Sequence, residues 1–190
     1  DKFVFKKKIK FIGVTEYLGN LNNKRTNMLM YGDKFSIISL TTHINLKKIH
    51  LYLNKVNLKE TITRLLKLIS IKKYNLNFNH INFLCYNPHC GEEGTMGSED
   101  KVISDLIKRF KKISGPFPAD SAFQNFKKDT LYISTYHDQA LIPFKLINKK
   151  GINFTIGLNY RRLSPTHGTA KNIMFKNISN NSSYIACMQI

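Results

Sequence analysis

Three histidines stand where runs of apolar residues end: His43 after residues 35–40, His89 after 81–86 and His137 after 131–136. Neutral imidazoles are the commonest ligands of divalent transition metals, and three that converge leave coordination positions open for a substrate oxygen, as a catalytic site requires. The competing reading is three unrelated loop histidines, and spacing alone leaves both open. His50 and His80 follow no such run and read as solvated or packing residues. A second clue is Asn-Pro-His-Cys-Gly-Glu-Glu-Gly-Thr-Met-Gly at residues 87–97. Its three glycines permit close backbone approach to a ligand, and a helix that follows offers free N–H groups to an anion. The segment matches neither a P-loop nor a dinucleotide fingerprint, and a Gly-rich loop without any bound anion explains it as well. Cys90 beside His89 is read as a small packed side chain in preference to a metal ligand. Lys145 and Arg162, each close to the end of an apolar run, are suited to holding a phosphorylated acid by charge-assisted hydrogen bonds. Arg162 carries more weight than any lysine, because the chain has only Arg25, Arg64, Arg109, Arg161 and Arg162.

These residues need a scaffold, and apolar periodicity supplies one. Residues 34–40, 81–86, 131–136 and 153–158 read as strands. Helical spacing covers 46–53, 58–71, 98–112, 139–146, 167–176 and 182–189, with Glu99 and Asp100 in a first turn where the helix dipole favours acids. Gly115-Pro116-Phe117-Pro118 stops the helix before it. Strands separated by helices predict an α/β architecture with a largely parallel sheet. In such sheets ligands bind outside the carboxyl ends of the strands, which is where the three histidines fall.

Composition bounds the function classes. In 190 residues, 42% apolar and 22% charged, there is enough to bury a core, and a disordered tail or a disulfide miniprotein is excluded. No apolar run approaches the roughly 20 residues of a membrane span. A net charge of +18 invites a nucleic-acid reading, but the lysines are spread over nearly every segment, as a drift toward Lys, Asn and Ile produces without any ligand. Nucleic acid is therefore not the expected partner. Cys85, Cys90 and Cys187 have neither CxxC spacing nor an even count, which points to a reduced, cytoplasmic compartment. The chain opens at Asp1 with a lysine-rich lead-in over residues 1–10 and no signal peptide, and is read as a piece of something longer.

Taken together, the motifs resemble those of the 4-hydroxythreonine-4-phosphate dehydrogenase family of pyridoxal phosphate biosynthesis. NPHxGExGxMG is matched at residues 87–97, GPxPAD at 115–120 and YHDQxLxPxK at 136–145. NxTxGL is matched at 153–158 and HGTA at 167–170. The resemblance runs in order from about Gly13 to the last residue and covers about the last two thirds of a family member. It implies a two-lobed fold like that of isocitrate and isopropylmalate dehydrogenases, with the first part of the N-terminal lobe missing. Residues 11–136 would form most of the central lobe and 137–190 return to the incomplete other lobe. It further implies a homodimer with its site in a cleft shared between subunits. The implied reaction is NAD- or NADP-linked oxidation of 4-phosphooxy-L-threonine, with loss of carbon dioxide to give 3-amino-2-oxopropyl phosphate. The family's metal ligands fall on His43, His89 and His137, for zinc, cobalt or magnesium, and its substrate contacts on Thr15, Lys145, Asn153 and Arg162. Asp120 and Asp138 would add a ligand or charge that orients the histidines. No general base is assigned.

The departures are informative. Family members read Gly-His-Thr-Glu where this chain has Gly13-Val14-Thr15-Glu16, so a histidine contact is lost at Val14. Glu93 and Thr95 replace an expected glycine and histidine in the loop, and Thr166 an expected acid before His167. Val14 motivates a second reading, a dehydrogenase of another phosphorylated hydroxy acid such as a threonate phosphate. A third is a degenerate, non-catalytic remnant that binds polyanions. The retained set of His43, His89, His137, Lys145, Asn153 and Arg162 argues against decay at the centre.

Overall fold

The computed structural model describes residues 11–166 and 173–190. The lead-in over residues 1–10, the HGTA motif and most of the helix expected over 167–176 lie outside the described residues.

Seven strands form one continuous sheet: β1 (Asn27–Tyr31), β2 (Ser36–Ser39), β3 (His80–Leu84), β4 (Ile113–Phe117), β5 (Thr130–Ser134), β6 (Ile152–Ile156) and β7 (Arg162–Pro165). Their order is β4-β3-β5-β2-β1-β6-β7. Among the described residues five α-helices accompany them: α1 (Val14–Leu21), α2 (Lys55–Ile69), α3 (Glu99–Ile107), α4 (His137–Ile147) and α5 (Ser182–Met188). The architecture is α/β, but the sheet is mixed rather than largely parallel. β2, β5, β3 and β4 pair in parallel, whereas β1 is antiparallel to both β2 and β6, and β6 is antiparallel to β7. The short connections after β1 and β6 account for the β1–β2 and β6–β7 pairs, because two neighbouring strands can be antiparallel across a tight turn but need a long crossover to be parallel.

Both faces of the sheet are covered, as a parallel core requires. Alternation along the strands sends Leu29, Ile38, Phe83 and Ile133 to one face, where they pack with Leu58, Ile62 and Leu65 of α2 and Ile103 and Leu106 of α3. The adjacent residues Met28, Met30, Ile37 and Tyr132 face the other way, against Ala140 and Phe144 of α4. Apolar residues at i, i+4 and i+7 on α2 give it its buried stripe, and Asn54 caps its start by accepting from the Asn57 N–H at 3.0 Å. Residues 46–53 show helical spacing but fold as a 3-10 helix, Leu46–Tyr52. Residues 115–117 of the segment expected only to stop a helix complete the edge strand β4, where proline is tolerated because no ladder partner needs its N–H.

Candidate functional site

The register of β1, β6 and β7 lays out the floor of a cleft. Met28 stands opposite Thr155 and Met30 opposite Asn153, while Thr155 is also paired with Arg162. Directly paired residues present their side chains to the same face. Above this floor lie the N-terminus of α1, the loop after β2 and one face of α4, enclosing a cleft of about 440 Å³. Its lining brings together Thr15, His43, His137, Lys145, Asn153 and Arg162. His137, Leu141 and Lys145 reach it at i, i+4 and i+8 of α4, one face of the helix.

The two histidines are neighbours, with ring centroids 5.6 Å apart. They follow β2 and β5, which are adjacent and parallel, so their loops emerge at the same edge of the sheet. Each ring is engaged at Nδ1 by a carboxylate. His43 Nδ1 lies 3.2 Å from Glu16 Oε1, and His137 Nδ1 lies 2.6 Å from Asp138 Oδ1. Thr42 Oγ1 donates to the same Glu16 oxygen. Burial alone would raise the Glu16 pKa, but the hydrogen bonds from His43 and Thr42, its own backbone N–H and the charge of His43 outweigh it and hold the group at about 2.

Thr155, fully buried, links two residues of the cleft. Its Oγ1 accepts from Arg162 Nη1 at 3.2 Å and lies 3.5 Å from Thr15 Oγ1. Thr15 is fixed from its other side, where its carbonyl accepts from Thr26 Oγ1 at 2.8 Å. Burial lowers the pKa of the Arg162 guanidinium, which nevertheless stays charged. Two buried acceptors here have no partner among the described residues, Asn153 Oδ1 and Glu16 Oε2. With Lys145 and Arg162 as cations, two imidazoles and an unsatisfied amide oxygen, the cleft is equipped for a polar, anionic ligand.

Two expected site residues, His89 and Asp120, lie elsewhere. His89 is exposed and does not line the cleft. Among the described residues no group of three His, Cys, Asp or Glu side chains is placed to hold a metal, so the three imidazoles do not converge within one chain. Residues 89–93 all have positive φ, between 42° and 79°, winding the loop in a left-handed sense before α3. Asp100 in the first turn of α3 ties that loop down, accepting from the N–H groups of Tyr86 at 2.7 Å and Asn87 at 2.9 Å. Cys85 and Cys90 are joined as a disulfide with Cα atoms 5.0 Å apart, contrary to the expectation of unpaired thiols, and Cys187 is a free thiol. Asp120 lines a separate cleft of about 450 Å³ on the opposite side of α4, with Phe123, Ile142 and the exposed side of Asp138.

Sequence reasoning missed Glu16 and Thr155. Glu16 stands in the Gly13-Val14-Thr15-Glu16 segment already notable for Val14, and Thr155 is the central residue of NxTxGL. Their partners are 27 and 140 residues away, His43 and Thr15, which spacing does not reveal.

Comparison with known proteins agrees in one direction. A family model described as pyridoxal phosphate biosynthetic protein PdxA matches residues 1–190. Among curated relatives, 4-hydroxythreonine-4-phosphate dehydrogenase of Hydrogenobaculum sp. is 43% identical over 89% of this chain and 54% of its own length. The protein of the same name from Aquifex aeolicus is 35% identical over 100% of this chain and 61% of its own. The chain thus spans little more than half the length of these relatives. Among solved structures, the 4-hydroxythreonine-4-phosphate dehydrogenase of Klebsiella pneumoniae is 27% identical with a TM-score of 0.71, covering 98% of this chain and 60% of the other.

Proposed function

We propose that this chain, which belongs to the PdxA family of pyridoxal phosphate biosynthetic proteins, contributes the substrate cleft of an NAD(P)-linked dehydrogenase acting on 4-phosphooxy-L-threonine. The observation that carries this reading is the gathering of Thr15, His43, His137, Lys145, Asn153 and Arg162 around one cleft. Lys145 and Arg162 bind the phosphate, Arg162 with its orientation fixed by Thr155. Asn153, whose Oδ1 lacks a donor, receives one from the substrate's amino or hydroxyl group. Thr15 adds a hydroxyl on the opposite wall.

A divalent metal fits the donor set of this cleft in part. His43 and His137 would supply two imidazoles, each with a carboxylate beside its Nδ1 atom. His89, exposed on its loop, is assigned to the equivalent cleft of a second copy of this chain, which makes a homodimer the functional unit. Zinc, cobalt or magnesium held there by His43 and His137 would supply positive charge beside the reacting oxygen, and a nicotinamide would supply the hydride acceptor. The chain's own contribution is binding and orientation: phosphate at Lys145 and Arg162, the reacting carbon toward the paired imidazoles, and imidazole rings kept in place by Glu16 and Asp138.

A second substrate is favoured by one residue. Val14 lines the cleft where a histidine would add a polar contact, which suits a ligand lacking the amino group, such as a threonate phosphate. Comparing kcat/KM for the two phosphorylated acids tests the assignment: preference for 4-phosphooxy-L-threonine is expected, and preference for the threonate phosphate overturns it. No described helix is long and apolar enough to cross a membrane.

A further inference from the structure

His43 belongs to a loop, with no helix or strand to fix its ring. What fixes it is α1. Glu16, in the first turn of that helix, places Oε1 3.2 Å from His43 Nδ1, and the same oxygen accepts from Thr42 Oγ1. The carboxylate is itself largely enclosed, its side chain 28% exposed. Gly13, which caps α1, closes the arrangement. A Cβ at this position would stand 2.6 Å from His43 Nδ1 and would also collide with Glu16 Oε2. Glycine is required here for close approach, since its φ of −163° is open to any residue. The imidazole is thus seated between Gly13, Glu16 and Thr42.

An ionised carboxylate only accepts hydrogen bonds, so the proton between Glu16 and His43 belongs to the imidazole nitrogen. We propose that Glu16 is a positioning residue that holds the neutral His43 ring as its Nδ1–H tautomer and leaves Nε2 as the donor atom available to the cleft. The segment Gly13-Val14-Thr15-Glu16 then has two jobs: Thr15 faces the substrate cleft, while Gly13 and Glu16 build the seat of a ligand on another loop. The consequence for metal affinity rests on the function proposed above, but the tautomer does not.

The decisive measurement is long-range ¹H–¹⁵N correlation of the histidine rings in the intact ¹⁵N-labelled protein without metal, at a pH where the imidazoles are neutral. His43 is expected to carry its proton on Nδ1. A proton on Nε2 in the unsubstituted protein overturns the proposal without recourse to any variant. In Glu16→Ala the Nδ1–H preference is expected to disappear. Zinc affinity, measured by calorimetry, is expected to fall by about 10–100-fold. Glu16→Gln, which keeps an acceptor oxygen of the same shape, is expected to recover part of both. Thermal unfolding of each variant checks that the fold is retained. A folded Glu16→Ala protein with unchanged tautomer and unchanged zinc affinity also overturns the proposal. If the unsubstituted protein binds no zinc yet shows Nδ1–H at His43, the metal assignment fails while the seat built by Glu16 is upheld.

Discussion

Thr155→Val removes one hydroxyl and almost no volume, from a residue that is fully buried. The hydroxyl accepts from Arg162 Nη1 at 3.2 Å and faces Thr15 Oγ1 at 3.5 Å. A hydrogen bond to a charged group contributes about 1.5–3 kcal/mol when fully enclosed. Arg162 is half-buried and recovers part of its loss from water, so about 1 kcal/mol is the expected cost to folding. For a chain of this size that corresponds to a fall in Tm of about 2–4 °C. The functional cost has a particular form. Arg162 and Thr15 would remain but lose their common anchor, so KM for the phosphorylated substrate should rise about fivefold, which is about 1 kcal/mol, with kcat nearly unchanged. Thr155→Ser, which keeps the hydroxyl, should restore KM but lose some stability to the missing methyl. Thermal unfolding and initial-rate kinetics on the three proteins make the test. An unchanged Tm together with an unchanged KM in Thr155→Val would refute the claim that this hydroxyl couples the two walls of the cleft.

Other consequences are independent of that one. The Glu16 carboxyl titrates at about 2 in the folded chain against an ordinary 4.5, so its contribution to stability is present above pH 4.5 and is lost as the pH falls toward 2. Discounted for its partial exposure, that contribution is about 1–2 kcal/mol. Urea unfolding between pH 6 and 3 should fall less steeply for Glu16→Gln, and identical slopes would show that Glu16 is not responsible. Arg162→Ala should raise KM about 10–100-fold, the loss of a charge-assisted contact, and a KM within twofold would remove Arg162 from the phosphate site. His89→Ala should abolish metal-dependent turnover and leave thermal unfolding of the metal-free protein unchanged, because the side chain is exposed. Full activity would end its assignment as a ligand.

How much of this was legible in the sequence depended on whether the deciding contact was local. Strands rich in β-branched residues, such as Ser36–Ser39 and Thr130–Ser134, declare themselves, and so do the amphipathic α2 and α3. β1 does not, since its Met-Leu-Met centre reads equally as helix or strand until it pairs with β2 and β6. β4 was hidden by its own Gly-Pro, normally punctuation and here tolerated at a sheet edge. α1, eight residues with no side-chain cap, carries too weak a pattern. Missing β1 and β7 is also why the sheet looked largely parallel. In the cleft, His43 and His137 were legible because adjacent parallel strands bring their carboxyl-end loops together. His89 follows β3, the other neighbour of β5, but its position depends on a left-handed loop and on Asp100, neither of which strand position encodes. Glu16 and Thr155 act only through residues distant in sequence, so their roles emerge with the tertiary structure.

The most direct test of the proposed function is NADH formation by the intact protein from 4-phosphooxy-L-threonine, measured with added divalent metal and again after chelation. Turnover that requires both the substrate and the metal, and that is lost on chelation, is the predicted result. No turnover under either condition, from a folded protein that binds neither the substrate nor zinc, would contradict it.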